Sequence, residues 1–207
     1  LNHFFLFRYA PEILQRTAEH LLLVGIAIAI AVLVGIPLGI VITRYKGLRQ
    51  PILTLANVFQ TIPSLALFGL LIPIVGIGAV PAIVALTLYS FLPIIRNTYT
   101  GITQVDPAIR EAGRGLGMTD WQLLTQVELP LAMSVILAGV RVATVIAIGI
   151  ATIAAAIGAG GLGVFIFRGI SVVNDQLILA GAVPAAAIAL IADAGISWLE
   201  RRLSIQS

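Results

Sequence analysis

No cysteine occurs in the 207 residues, which excludes disulfides and thiolate metal sites. Lys46 is the sole lysine and Gly47 follows it, so the chain holds no GxxxxGK[ST] phosphate loop and cannot hydrolyse ATP by that route. The histidines are His3 and His20 alone, too few and too separated to suggest a metal site. Charge is scarce too: 10% of residues are Asp, Glu, Lys or Arg, against about 25% in an ordinary soluble domain. A water-soluble fold is excluded on that ground.

What is present is apolar. The chain is 59% hydrophobic with a mean hydropathy of +1.09. Residues 21–43 and 50–95 carry no charge, 129–167 contain only Arg141, and 176–199 contain only Asp193. A helix needs about 20 apolar residues to cross the hydrocarbon core, so these runs predict an all-α polytopic membrane protein with about five transmembrane helices. The net charge of +3 does not point to nucleic acid, because the basic residues flank the apolar runs as orientation signals do.

Taken in order, residues 1–20 mix Phe4, Phe5, Phe7 and Tyr9 with Arg8, Glu12, Arg16 and Glu19, the pattern of an interfacial segment with an aromatic anchor. The apolar membrane body spans 21–202, and 203–207 form a tail. A first span is expected from Leu21 to Thr43, with Gly35 and Gly39 around Pro37 allowing close helix packing. The second starts at Pro51, a turn falls at 73–81, and the third runs from Pro81 to Ile95. A fourth begins at Pro130 and ends at the glycine cluster Gly158, Gly160, Gly161 and Gly163, because 129–167 as one helix would reach nearly 60 Å. An outer loop or re-entrant piece follows, and the fifth span covers Gln176 to Leu199. The glycine cluster formally satisfies GxGxxG, but no strand precedes it, so a turn or close helix contact is expected there.

With the N-terminus outside, the cytosolic side receives Arg44, Lys46, Arg49, Arg96, Arg110, Arg114, Arg201 and Arg202, and the outer side receives Arg8, Arg16 and Arg168. Eight against three fits the positive-inside rule and places the C-terminus in the cytosol. Three spans in, the chain makes its longest polar interruption, 106–130, holding Asp106, Glu111, Asp120 and Glu128. Its grammar is two short helices. Asp106 suits an N-cap and Pro107 the first helical position, Gly117 can close that helix left-handed, and Thr119 with Gln122 forms a capping box. The stretch is expected to be a cytosolic helix-turn-helix finger, with Trp121 packing on its helices or on a partner.

Polar groups inside spans face protein or water rather than lipid. Asn57, Gln60, Thr61 and Ser64 fall at i, i+3, i+4 and i+7, one face of a helix, where they either line a translocation path or bond between helices. Arg141 and Asp193 are the two charges within spans and are expected to form a structural ion pair between the fourth and fifth; a role in gating is the alternative. Trp198 reads as an interfacial anchor.

The finger resembles the EAA signature of ABC importer permeases. Glu111-Ala112-Gly113, three residues, Gly117, nine residues, then Val127-Glu128-Leu129-Pro130 reproduce its spacing, with Gly113 for the second Ala and Val127 for Ile. Gln60-Thr61-Ile62-Pro63-Ser64-Leu65-Ala66 and the stretch 149–163 are similar to permeases of osmoprotectant importers. That resemblance implies a five-helix type I importer core in the bacterial plasma membrane, bathed in lipid. It implies a second permease subunit, cytosolic ATP-binding subunits that hold ATP and Mg, and an extracytoplasmic substrate-binding protein, with no cofactor and no catalysis on this chain. Glu111, Ala112, Gly113, Gly117, Leu129 and Pro130 would then couple the finger to the ATPase, and the cargo would be glycine betaine, carnitine, choline or a related amine. An importer of an amino acid or other small solute, and an ATP-independent channel or scaffold, stay open beside it.

Overall fold

The computed structural model describes residues 3–203, with side chains from Tyr9 onward. The Phe4, Phe5 and Phe7 side chains of the expected aromatic anchor, and the tail after Leu203, lie outside the described residues. The first uncharged run forms the centre of α1, His3–Arg44, a single helix. No break separates residues 9–20 from the span expected to begin at Leu21; they are earlier turns of the same helix.

The second span departs from expectation: it begins at Lys46 rather than Pro51. Instead of one straight span it forms α2 (Lys46–Thr61) and α3 (Ser64–Val75), bent by 102°. Pro63 disfavours a helical conformation in the residue before it, and Ile62 is accordingly extended (φ −72°, ψ 128°). The shared face assigned to Asn57, Gln60, Thr61 and Ser64 is therefore corrected: the first three lie on α2, and Ser64 opens α3. A turn through Gly76 and Gly78 leads into α4 (Ala79–Thr103).

The finger follows as α5 (Pro107–Gly115) and α6 (Asp120–Leu123). A π-helical segment, Leu124–Glu128, carries α6 without a break into α7 (Leu129–Ile153), so this span does not begin at Pro130. Proline lacks the N–H for the usual bond and its ring crowds the carbonyl a turn earlier. The wider turn, in which the Leu129 N–H bonds the Leu124 carbonyl, lets the helix pass Pro130. After α7 come a 3₁₀ turn (Ala154–Ile157) and left-handed Gly158, then α8 (Gly163–Ser171) and α9 (Asp175–Leu203).

Among the described residues four helices are long and apolar enough to cross a membrane, and the bent α2–α3 pair, taken as one span, makes five. Among the described residues there is no strand. The middle of the bundle is α4, which packs against α1 and α7, while α9 packs on α7 and α8. Lipid tails are as apolar as leucine, so helices here associate through close packing more than through water exclusion. Small residues make that approach possible. Ala27, Ala31, Ala82, Ala85, Ala143 and Ala147 are fully buried. A Cβ at Gly39 would come within 2.5 Å of the Thr98 Cβ on α4, and one at Gly139 within 2.7 Å of the Pro93 carbonyl.

Candidate functional site

The finger is built from local sequence. Asp106 Oδ1 accepts a 2.8 Å hydrogen bond from the Ala108 N–H, and Pro107 fills the first turn where a missing N–H is harmless. At the other end Gly117 takes φ +83°; its N–H bonds the Arg114 carbonyl and the Met118 N–H the Gly113 carbonyl, a Schellman closure. Thr119 and Gln122 form the expected capping box. Gly113, which stands where the family pattern has alanine, is buried: a Cβ there would lie 2.9 Å from Leu123 Cδ1, so the α5–α6 contact leaves little space. Glu111 and Ala112 are exposed and Leu129 and Pro130 half-buried. Trp121 does not pack on its own helices, being 72% exposed, and Leu116 is 82% exposed.

Glu128 is a site residue that sequence reasoning missed. The polar stretch 106–130 places it among water-facing acids, yet its side chain is 1% exposed. The carboxylate accepts from Arg44 at the end of α1, through both guanidinium ends, and Arg110 Nε of α5 approaches it to 3.5 Å. Arg110 also donates to the Ile102 carbonyl at the end of α4. One buried carboxylate thus joins α1, the finger and the start of α7. Only its place next to the Leu-Pro pair hinted at this; nothing in the local pattern marks an acid as buried.

The α2–α3 elbow is the second candidate. Gln60 Nε2 donates to the Tyr89 carbonyl at 2.9 Å, and the Tyr89 hydroxyl donates to the Ile62 carbonyl, so α4 holds the bend from both sides. Thr61 bonds back to Val58 of its own helix. Asn57 is exposed and lines a cavity of about 200 Å³ with Gln50, Thr54 and Arg96, and Gln60 lines another of about 190 Å³ with Asn97 and Arg96. Arg96, read from sequence as the end of a span, is a wall of both.

Arg141 of α7 and Asp193 of α9 are brought together, with Nε 3.8 Å from Oδ1. Glu200, two helical turns further along α9, lies 3.9 Å from the same guanidinium. At the far end of α1, Glu19 accepts from the Gly161 N–H at 3.0 Å and pairs with Arg16 at 2.9 Å, while Arg168 of α8 reaches Glu12 at 3.3 Å. Glu19 and Glu12 therefore fasten α1 to the glycine turn and to α8.

A family model described as "Binding-protein-dependent transport system inner membrane component" matches residues 35–205. The chain is 51% identical over 193 residues to the glycine betaine/carnitine/choline transport system permease protein OpuCD of Bacillus subtilis, covering 93% of this chain and 84% of that one. It is 47% identical over 194 residues to the osmoprotectant import permease protein OsmW of Salmonella typhimurium, covering 91% and 88%. Among solved structures, an inward-facing form of the MetNI methionine ABC transporter superposes with a TM-score of 0.84 at 22% identity, covering 98% of this chain and 99% of that one. An amino acid ABC transporter with histidines superposes at 0.80 and 23% identity, covering the same shares. At such identities the two structures bear on the fold alone.

Proposed function

Because this chain belongs to the family of inner membrane components of binding-protein-dependent transport systems, we propose that it is the permease subunit of an ATP-driven importer for quaternary-ammonium osmoprotectants such as glycine betaine, carnitine or choline. The observation that carries the substrate class is the 51% identity, over 93% of the chain, to a permease named for those three solutes. ATP hydrolysis falls to separate cytosolic subunits, with a second permease subunit beside this one and a binding protein delivering solute from outside. The finger lies in the cytosol, the N-terminus outside and the C-terminus in the cytosol.

In this reading Glu111, Ala112, Gly113, Gly117, Leu129 and Pro130 form the coupling element, and exposed Leu116 and Trp121 supply apolar surface for the ATPase. A helix capped at both ends and joined to α1 and α4 through Arg44, Glu128 and Arg110 transmits a displacement that a loose loop would absorb. The path runs along the elbow by Asn57, Gln60, Thr61 and Ser64, whose neutral polar groups suit a zwitterion or a cation. Arg141 and Asp193 act as a structural pair between α7 and α9.

The test is ATP hydrolysis by the importer complex in lipid discs, with and without binding protein loaded with glycine betaine. Loaded binding protein should stimulate hydrolysis several-fold, and Glu111→Ala should abolish the stimulation. Stimulation by another solute but not by betaine, carnitine or choline would discard the substrate class and keep the importer. Failure of any ATPase subunit to associate would sink the reading.

A further inference from the structure

We propose that the junction of α1, α2, α4 and α5 is a binding site for the phosphate group of an anionic phospholipid. A cavity of about 480 Å³ opens there, and Lys46, Arg49 and Arg110 line it together with Thr43, Tyr99 and Thr103. Three cations and no acid face this space. The nearest carboxylate, Glu128, is engaged by Arg44 and Arg110 and leaves one positive charge of that trio unbalanced. Among the described residues no ion pair uses Lys46 or Arg49. Arg49 is nevertheless held in place, with its guanidinium carbon 4.6 Å from the centroid of the Tyr99 ring.

The backbone adds to the positive field. α2 begins at Lys46 without a side-chain cap, so the positive end of a 16-residue helix points towards the same corner. Like cations crowded around a cavity repel one another, and an anion between them relieves that repulsion. A phosphate offers several acceptor oxygens, which three separate donors can share.

Position favours a lipid over free phosphate. Lys46 and Arg49 come directly after the uncharged run that ends at Thr43, the level at which headgroups meet a spanning helix. Tyr45 and Leu48, beside them, are 64% and 46% exposed, an aromatic and an aliphatic side chain set to rest in the interfacial layer. Basic pockets between helix ends are the usual form of a headgroup site.

Native mass spectrometry of the full-length permease in detergent tests this, titrating dioleoylphosphatidylglycerol, dioleoylphosphatidylcholine and inorganic phosphate separately. The wild type should take up one phosphatidylglycerol at least about tenfold more tightly than phosphatidylcholine, and Lys46→Gln with Arg49→Gln should remove that preference. Lys46→Arg with Arg49→Lys should keep it, and Lys46→Gln alone, at an exposed residue, should weaken it without unfolding the chain. Equal affinity for the two lipids, or an undiminished preference in the double Gln variant, would overturn the site. Saturation by inorganic phosphate with no preference between lipids would overturn the lipid as its source.

Discussion

Glu128 is where one side chain decides the most. A carboxylate with 1% exposure is stable only when its charge is met, and Arg44 and Arg110 meet it from two different helices. Removing one partner of a fully buried pair costs about 3–5 kcal/mol. Arg44 keeps 34% of its side chain exposed and Arg110 25%, so solvent screens part of that loss and roughly 2 kcal/mol is expected for Glu128→Ala. Thermal unfolding in detergent should show the drop. Combined with Arg44→Gln, the loss should fall short of the sum of the single changes by about 1 kcal/mol, and strict additivity would mean that the two residues do not interact. The sequence places Glu128 among four acids in a polar stretch, and nothing local distinguishes it from exposed Glu111. Burial is set by the end of α1, 84 residues away.

At the scale of elements, the finger owes its form to its ends. Gly117 sits at φ +83°, where a Cβ is strained, so Gly117→Ala should cost about 1 kcal/mol. Asp106→Ala, which removes the N-cap bond, should cost a similar amount, about 1 kcal/mol. Each change should raise amide exchange in 107–116 about fivefold, since 1 kcal/mol is about that factor in an opening equilibrium, and the two together about 25-fold. Unchanged exchange in both would show that contacts elsewhere hold the finger. These caps were legible because they depend on residues three or four apart. The bend between α2 and α3 was legible only in part. Pro63 marks a weak point, but a 102° turn needs Tyr89 on α4 to receive Gln60 and hold Ile62. The π-helical passage before Pro130 is not legible for a related reason: a proline after a polar stretch ordinarily signals a start, whereas here the helix runs on from α6, with α5 packed beside the π-helical turn.

For the whole molecule, the absence of cysteine turns topology into a clean measurement, because any introduced thiol is unique. Val173, at the turn between α8 and α9, is 89% exposed, and Thr119 is exposed at the finger. In whole cells, Val173→Cys should react with a membrane-impermeant maleimide, and Thr119→Cys should react only after the membrane is opened. The reverse pattern would invert the orientation derived from the arginines. At the end of the bundle opposite the finger, Glu19 and Glu12 join α1 to the glycine turn and α8. Residues 9–20 thus belong to the bundle by packing as well as by helix continuity.

The sequence by itself determined the class of protein, the number of apolar runs, the finger and its caps, because these follow from composition and from spacings within one or two helical turns. Only the tertiary structure decided which charges are met and by what. Glu128 between two arginines, Arg96 in the wall of two cavities, and the cationic corner at Lys46 and Arg49 each arise where helices separated in the chain lie side by side. The physical reason is range. Helix caps and periodicity act along the chain, whereas the field and the burial of a side chain are set by neighbours that folding brings from elsewhere.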